Sequence, residues 1–338
     1  MKLPDRLFWC NQRVFVTGAQ GFKGMWLCRW LDHMGALVET TRGIRLNDRE
    51  SLTYLLDAFQ PEIVIHMAAV TTVQEAFVDP VRTIETNVTG TLILLDILKG
   101  IRSVKAVLNV TTDKVYHIEG VDRGYIESDS LGGLETYAVS KACSELVSIV
   151  YQKTYKLPLA TARAGNVLGG GDWKETRIIP NYFQAYKDGL TLDVNVDAIR
   201  PWQYVLDCLC GYLLLCEKLY DNVSYSGPWN FASNEYESRS VQWIVDEMNL
   251  YFSPQVPYRL VDARGYYETK NLRLCSDKAR KALQWEPLYD MKETIRRTAK
   301  WYLDSGDTAI PLSRLYDREI LDYIQEEDGY LDGGGVLT

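Results

Sequence analysis

The chain has 338 residues, 46% of them hydrophobic, which is enough for a large buried core in one or two domains. Its 37 Lys and Arg against 45 Asp and Glu give a net charge of −8 with no basic run, so the composition argues for solubility and against nucleic acid as a partner. Seven scattered Cys without a C-x-x-C, and three His without ligand spacing, argue against a metal enzyme; the Cys read as reduced core thiols of a cytoplasmic protein. No signal pattern opens the chain, and the most apolar helical stretch, Val205 to Cys216, is broken by Asp207 and too short to span a bilayer, so no membrane association is expected.

In chain order, Arg13-Val14-Phe15-Val16-Thr17-Gly18 predicts a strand ending at a glycine. The turn Ala19-Gln20-Gly21-Phe22-Lys23-Gly24 follows, and then a helix from Met25 to Met34 closed by Gly35. Ala36 to Thr40 predicts a second strand, and Asp48 to Phe59 a helix capped by Asp48. Pro61 to His66 reads as a buried strand leading into Met67-Ala68-Ala69. Pro80 to Leu98 predicts one long amphipathic helix, Val104 to Val110 a strand, Thr136 to Tyr155 a helix and Leu157 to Ala162 a further strand. Strands alternating with helices indicate a doubly wound parallel sheet, Rossmann-like, with its ligand crevice at the carboxyl ends of the strands. Gly18, Ala68, Thr112 and Ala164 lie just past strand ends and should line it.

Beyond Ala164 a smaller C-terminal lobe is expected. It begins with a loop at Gly169–Trp173 and a helix at Pro180–Lys187. Pro228–Phe231 reads as a returning strand, Ser240–Tyr251 and Ser276–Trp285 as helices, and Met291–Asp304 as the final helix. The expected division is a dinucleotide-binding domain over 1–165 with 200–232 returning to it, a substrate lobe over 166–199 and 233–328, and a mobile tail over 329–338.

Three features carry chemistry. Gly18, Gly21 and Gly24 form G-x-x-G-x-x-G between a strand and a helix, the context in which backbone N–H groups cradle a pyrophosphate. Tyr137 and Lys141 stand four residues apart and share one helix face, where the ammonium is expected to lower the phenol pKa and fit Tyr137 for proton transfer; the bland alternative is a surface Tyr above a surface Lys. Thr112-Asp113-Lys114 follows a strand end and reads either as an acid/base pair or as a solvated turn.

Together these features resemble the extended short-chain dehydrogenase/reductase family. Phe8-Trp9, Gly21-Phe22-Lys23-Gly24, Thr112-Asp113-Lys114, Leu131-Gly132-Gly133, Arg163 to Trp173 and Arg200-Pro201-Trp202-Gln203 are similar to the CDP-glucose 4,6-dehydratases within it, over about Phe8 to Ile324. The resemblance implies NAD as cofactor, held by Gly18, Gln20, Gly21, Phe22, Lys23, Gly24, Ala68, Ala69, Tyr137 and Lys141. It implies a redox-neutral dehydration of a nucleotide sugar, CDP-linked, to a 4-keto-6-deoxy product. Tyr137 would take the C4 hydroxyl proton with Lys141 in support, Thr112 would bond the C4 oxygen, Asp113 would be the acid and Lys114 the C5 base. Asn166, Gly171, Trp173, Arg177, Arg200 and Gln203 would lie on the substrate side, although Asn166 could also cap a turn and either Arg could form a surface ion pair. A homodimer through a four-helix bundle of the Pro80–Leu98 and Thr136–Tyr155 helices is also implied.

Two segments depart from that pattern. Val38 to Asp48 passes almost directly from the second strand into the next helix, with Glu39 as the only carboxylate near the strand end, Arg45 where the family carries an Asp, and Arg42 nearby. The Arg pair either holds a 2′-phosphate, which would make the cofactor NADP, or leaves a shallow pocket where NAD binds weakly or not at all. After Ala69, Val70, Gln74 and Ala76 stand where the family has Gln, Arg and Ser. Alternatives to dehydration are another NAD-dependent sugar-nucleotide reaction such as 4-epimerisation, or a catalytically silent binding or assembly protein.

Overall fold

The computed structural model describes residues 2–118, 120, 122–195, 199–233, 238–261 and 272–332, without the side chains of 327–332. Six parallel strands form the central sheet: β1 Arg13–Thr17, β2 Leu37–Thr40, β3 Ile63–His66, β4 Ala106–Val110, β5 Leu159–Ala164 and β6 Gly227–Phe231. Their order is β2-β1-β3-β4-β5-β6, with Val14 beside both Val38 and Ile63, Val107 beside Leu159 and Phe231 beside Ala164. The central strands β3, β4 and β5 are buried on both faces, and their few polar residues, His66, Asn109, Thr161 and Arg163, are all hydrogen-bonded inside. One apolar cluster packs the helices Phe22–His33 and Val205–Asp221 on one face; a second packs Arg49–Phe59 and Gly90–Leu98 on the other. This is the doubly wound, Rossmann-like sheet expected from the strand–helix alternation.

The span from Pro80 to Leu98 is not one regular helix. It runs as α-helix over Pro80–Ile84, widens to a π turn over Glu85–Thr89 and resumes over Gly90–Leu98. A short helix that the sequence reading did not include, Val73–Val78, precedes it. Thr72 caps that helix by accepting from Glu75 N–H at 3.2 Å and donating to the Glu75 carboxylate at 3.0 Å. T-x-x-E is a capping-box pattern, so a signal was present in the sequence. Pro80 then starts the next helix at a first-turn position, where its missing N–H costs nothing.

Past Ala164 the chain builds small satellite pairs: Asn166–Leu168 with Trp202–Tyr204, Leu192–Asn195 with Tyr258–Val261, and Ile199–Arg200 with Arg239–Ser240. Met291–Ser305 is not the last helix. Leu312–Asp332 follows it, laying Tyr316 edge-on to Trp26 at 4.6 Å and Tyr323 edge-on to Trp30 at 5.5 Å. Its charged Asp317-Arg318-Glu319 masks the apolar period in the sequence, and Glu319 is buried because Arg297 and Tyr204 bond it. Of the expected mobile tail, 329–332 continue this helix, and 333–338 lie outside the described residues.

Beneath the strand ends sits a buried ionic network. Glu145, one turn after Lys141, accepts from Thr111 Oγ1 at 2.6 Å, Thr161 Oγ1 at 2.7 Å, and Arg163 Nε and Nη2 at 3.1 and 3.0 Å. Arg163 Nη1 donates to the Tyr116 hydroxyl at 2.9 Å, which donates to Asn230 Oδ1 at 2.7 Å. Both charges are nearly inaccessible, at 2% and 1% side-chain exposure. Removing one partner leaves a buried charge uncompensated. Arg163→Met is therefore expected to destabilise the protein by about 3–5 kcal/mol, read as a lowered urea midpoint with an unchanged slope.

Candidate active site

The carboxyl ends of β1, β3, β4 and β5 open into a single cavity of about 1360 Å³. At the β1 end, Gly18 takes a left-handed backbone (φ +72), and a Cβ there would lie 2.7 Å from Ala68 N. A Cβ on Gly24 would lie 2.1 Å from Gly18 O. No side chain fits at either position, so the turn stays tight and its backbone faces the cavity. Gly21 caps the Phe22–His33 helix without a side-chain bond, leaving its first N–H groups available to an anion. Thr17 Oγ1 accepts from Ala68 N at 3.0 Å and meets His66 Nδ1 at 2.7 Å, tying β1 to β3. Burial pushes His66 down to about 3, so it is a neutral structural link. This cradle fits the pyrophosphate of a dinucleotide.

Thr112, Asp113, Lys114, Tyr137 and Lys141 all line the same cavity. Thr112 Oγ1 donates to Asp113 Oδ1 at 2.9 Å. Burial raises the Asp113 carboxyl above its ordinary range, while Lys114, the Thr112 bond and Arg200 draw it back. Burial lowers Lys141 to about 7, with nearby Lys23 adding to the shift, and its Nζ donates to Val110 O at 2.9 Å. Lys23, half-buried and also lowered by desolvation, donates to the Tyr212 hydroxyl at 3.0 Å.

The expected lowering of the Tyr137 phenol is overturned. Burial pushes it up to about 12, against a hydrogen bond with Thr112 that pulls it down. In the sequence the pair suggests a cation beside a phenol. In the fold, desolvation acts on both groups, and the ammonium is turned to a strand carbonyl.

Every predicted cofactor residue lines the cavity, as do Asn166, Gly171, Trp173, Arg177 and Arg200 on the substrate side. Arg177 Nη1 donates to Asp172 Oδ2 at 2.9 Å and Nη2 to Thr71 Oγ1 at 3.3 Å, so it links two loops across the opening. Gln203 is the exception: it does not line the cavity, and its Nε2 donates to Phe231 O at 2.8 Å, while neighbouring Trp202 lines the wall. Of the three departures after Ala69, only Gln74 faces the cavity; Val70 and Ala76 are buried. Sequence reasoning missed Thr72, Arg82, Glu85 and Thr86, brought in by the Val73–Val78 and Pro80–Ile84 helices and the π turn, and Lys174, which pairs with Glu75. In the connection after β2 the lining is Ile44, Arg45, Leu46 and Asn47, whereas Arg42 pairs with Glu39 and neither lines the cavity.

A family model described as the NAD dependent epimerase/dehydratase family matches residues 14–228. CDP-glucose 4,6-dehydratase of Salmonella typhimurium is 36% identical, covering 95% of this chain and 98% of its own. A probable dTDP-glucose 4,6-dehydratase of Sinorhizobium fredii is 26% identical over 93% of this chain and 99% of its own. Among solved structures, dTDP-glucose 4,6-dehydratase of Bacillus anthracis in complex with NAD superimposes with a TM-score of 0.74 at 19% identity, covering 88% of this chain and 98% of that one. UDP-glucose 4-epimerase of Thermus thermophilus with NAD gives 0.77 at 23% identity, covering 86% and 99%. Both structures share the fold.

The lowered Lys141 makes a pH prediction with a definite sign. Between about pH 7 and its ordinary value of 10.5 the unfolded chain holds a proton on Lys141 that the ligand-free folded chain does not. Stability from this group therefore rises with pH across that window. Lys141→Met removes the dependence: relative to the variant, the wild type is expected to gain on the order of a few kcal/mol from pH 7 to pH 10, measured by urea unfolding of both proteins at each pH.

Proposed function

The chain belongs to the NAD dependent epimerase/dehydratase family, and from that premise we propose that it is a sugar-nucleotide 4,6-dehydratase, an NAD-dependent lyase converting a CDP-hexose to its 4-keto-6-deoxy derivative. The observation that carries the reading is that Asp113 and Lys114 open into one cavity with Thr112, Tyr137 and Lys141. Epimerisation at C4 needs no elimination pair, whereas loss of water from C5 and C6 needs an acid and a base.

Bound NAD supplies the hydride acceptor for C4 and the donor for C6. The protein's own groups move the protons. The Tyr137 oxygen takes the C4 hydroxyl proton, and Thr112, hydrogen-bonded to it, holds the same sugar oxygen. Proton loss from a phenol held near 12 is demanding, so Lys141, on the same helix face, supports it electrostatically when protonated. Lys114 removes the C5 proton that a 4-ketone acidifies. Asp113, whose carboxyl burial raises toward neutrality, protonates the departing C6 hydroxyl. Arg177 and Arg200 face the cavity with guanidinium forks suited to a diphosphate, and Asn166 lines the same wall.

The assembly proposed is a homodimer. The helices spanning 80–98 and 136–153 pack together and leave Val81, Leu92, Leu146 and Val150 exposed at 67%, 43%, 53% and 50%, an apolar face that a second copy would cover as a four-helix bundle. No helix among the described residues is long and apolar enough to cross a membrane, and all seven Cys are free thiols, in keeping with a cytoplasmic enzyme.

Incubation with NAD and a panel of sugar nucleotides tests the activity. A CDP-hexose is expected to lose the mass of one water, and Tyr137→Phe to abolish that loss with the fold retained. Inversion at C4 without mass change would make the enzyme an epimerase. Lys114→Ala is expected to block elimination more than C4 oxidation, so reduced cofactor accumulates and absorbs at about 340 nm. Light scattering at micromolar concentration is expected to give a dimer, and a monomer would refute the bundle.

A further inference from the structure

A dinucleotide laid along the glycine turn places its adenosine ribose beyond the end of β2, where folds of this kind use a carboxylate to bind the ribose hydroxyls. Glu39 is the carboxylate at that strand end, and its oxygens are already engaged. Oε1 accepts from Thr40 N and from Arg42 Nε, both at 2.8 Å, and Oε2 accepts from Arg42 Nη2. Burial alone would raise this carboxyl, but the Arg42 and Thr40 bonds override it and hold Glu39 below its ordinary range. The turn is built to make the pair: Arg42 sits in left-handed backbone (φ +48), followed by Gly43 (φ +86), which returns the guanidinium to the residue three positions earlier. Glu39, Thr40 and Arg42 are all absent from the cavity wall, although Ile44 and Arg45, just beyond, form part of it.

We infer that Arg42 is an internal competitor for the ribose end of the dinucleotide: it occupies both oxygens of Glu39 and holds the carboxylate away from the cavity, so NAD affinity is set by how readily this pair opens. The inference rests on the dehydratase reading and its cofactor, and specifies which residue governs the binding. The Arg42 side chain is 69% exposed, so water and salt screen the pair and opening is not prohibitive. The effect is a graded weakening of NAD and not a closed site. Glu39 in its paired state offers a ribose hydroxyl no acceptor, and Arg42 in its paired state offers a 2′-phosphate no fork.

Calorimetric titration of NAD into the full-length wild type, Arg42→Asn, Glu39→Gln and the double variant tests this. Asn tolerates the left-handed backbone, so the turn is kept. Arg42→Asn is expected to bind NAD roughly five- to tenfold more tightly. That advantage should shrink toward about 1 M salt, where the screening length falls to about 3 Å. Glu39→Gln alone should leave NAD affinity within about twofold, because the carboxylate is already sequestered. The double variant should lose the gain, and CDP should bind all four proteins alike. Unchanged or weaker NAD binding by Arg42→Asn, or a gain that persists in the double variant, overturns the inference. Wild-type preference for NADP that Arg42→Asn abolishes would make Arg42 a phosphate ligand and overturn it as well. Failure of all four proteins to bind NAD while CDP binds would overturn this inference and the proposed function together.

Discussion

The buried pair of Glu145 and Arg163 is the constraint on which the site depends. Glu145 stands on the same helix as Tyr137 and Lys141, while its partners are Thr111, just past β4, and Thr161 and Arg163 of β5. The pair therefore fixes how far that helix slides along the sheet, and with it the approach of Tyr137 to Thr112. Thr111 is bonded below, and the next residue, Thr112, is presented to the cavity. A buried ion pair is a poor source of stability compared with an apolar packing of equal volume, but it tolerates few alternative registers. In this fold that selectivity is applied directly under Thr112, Tyr137 and Lys141 in the cavity wall. Tyr116 and Asn230 extend the same bonding to β6, so one network spans three strands of the sheet.

The charge inside the cavity follows a different rule from the charge of the chain. The chain is acidic overall, at −8, yet the cavity wall carries Lys23, Lys141, Arg177 and Arg200 near Asp113. Burial lowers both Lys23 and Lys141, and the proximity of the two ammonium groups lowers Lys141 further. An anion placed among them favours their charged forms and is bound more tightly in consequence. A diphosphate is a ligand that this arrangement suits. In the dehydratase reading proposed above, attraction and catalytic tuning come from the same groups, with a protonated Lys141 easing loss of the Tyr137 proton.

Which parts of this were legible in the sequence follows from the range of the interactions concerned. The strand–glycine–helix opening, the alternation of strands with helices and the Tyr137/Lys141 spacing are local patterns, and the structure places them as read. The crevice could be inferred because parallel strands expose their carboxyl ends together. The π turn at Glu85–Thr89 and the burial of Glu319 are settled by partners distant in sequence, and no window of residues displays them. Gln203 was misplaced because its neighbours Arg200 and Trp202 do face the cavity, whereas strand alternation turns its amide toward Phe231. The direction of the Tyr137 shift was misread for a related reason: a charge beside a phenol is visible in sequence, and desolvation is not.

The shortened connection after β2 is built into the core and is not a relic of a lost wall. β2 forms the edge of the sheet, and the chain turns at Arg42 and Gly43 straight toward the next helix. Leu46, in the middle of that connection, is buried with Leu52, Leu56, Leu94 and Leu98. It reaches this place over Gly90, where a Cβ would stand 2.7 Å from the Leu46 Cβ. Gly90 is the first residue after the π turn, so the widened turn and the short connection meet at one close approach. Anchoring Leu46 there holds Arg45 and Asn47 in the cavity wall. A connection that keeps a core contact of this kind is maintained by packing, independent of the strength with which it holds a cofactor. The fold therefore leaves ribose recognition to be set by side chains in the turn, with Glu39 and Arg42 the charged pair at that position.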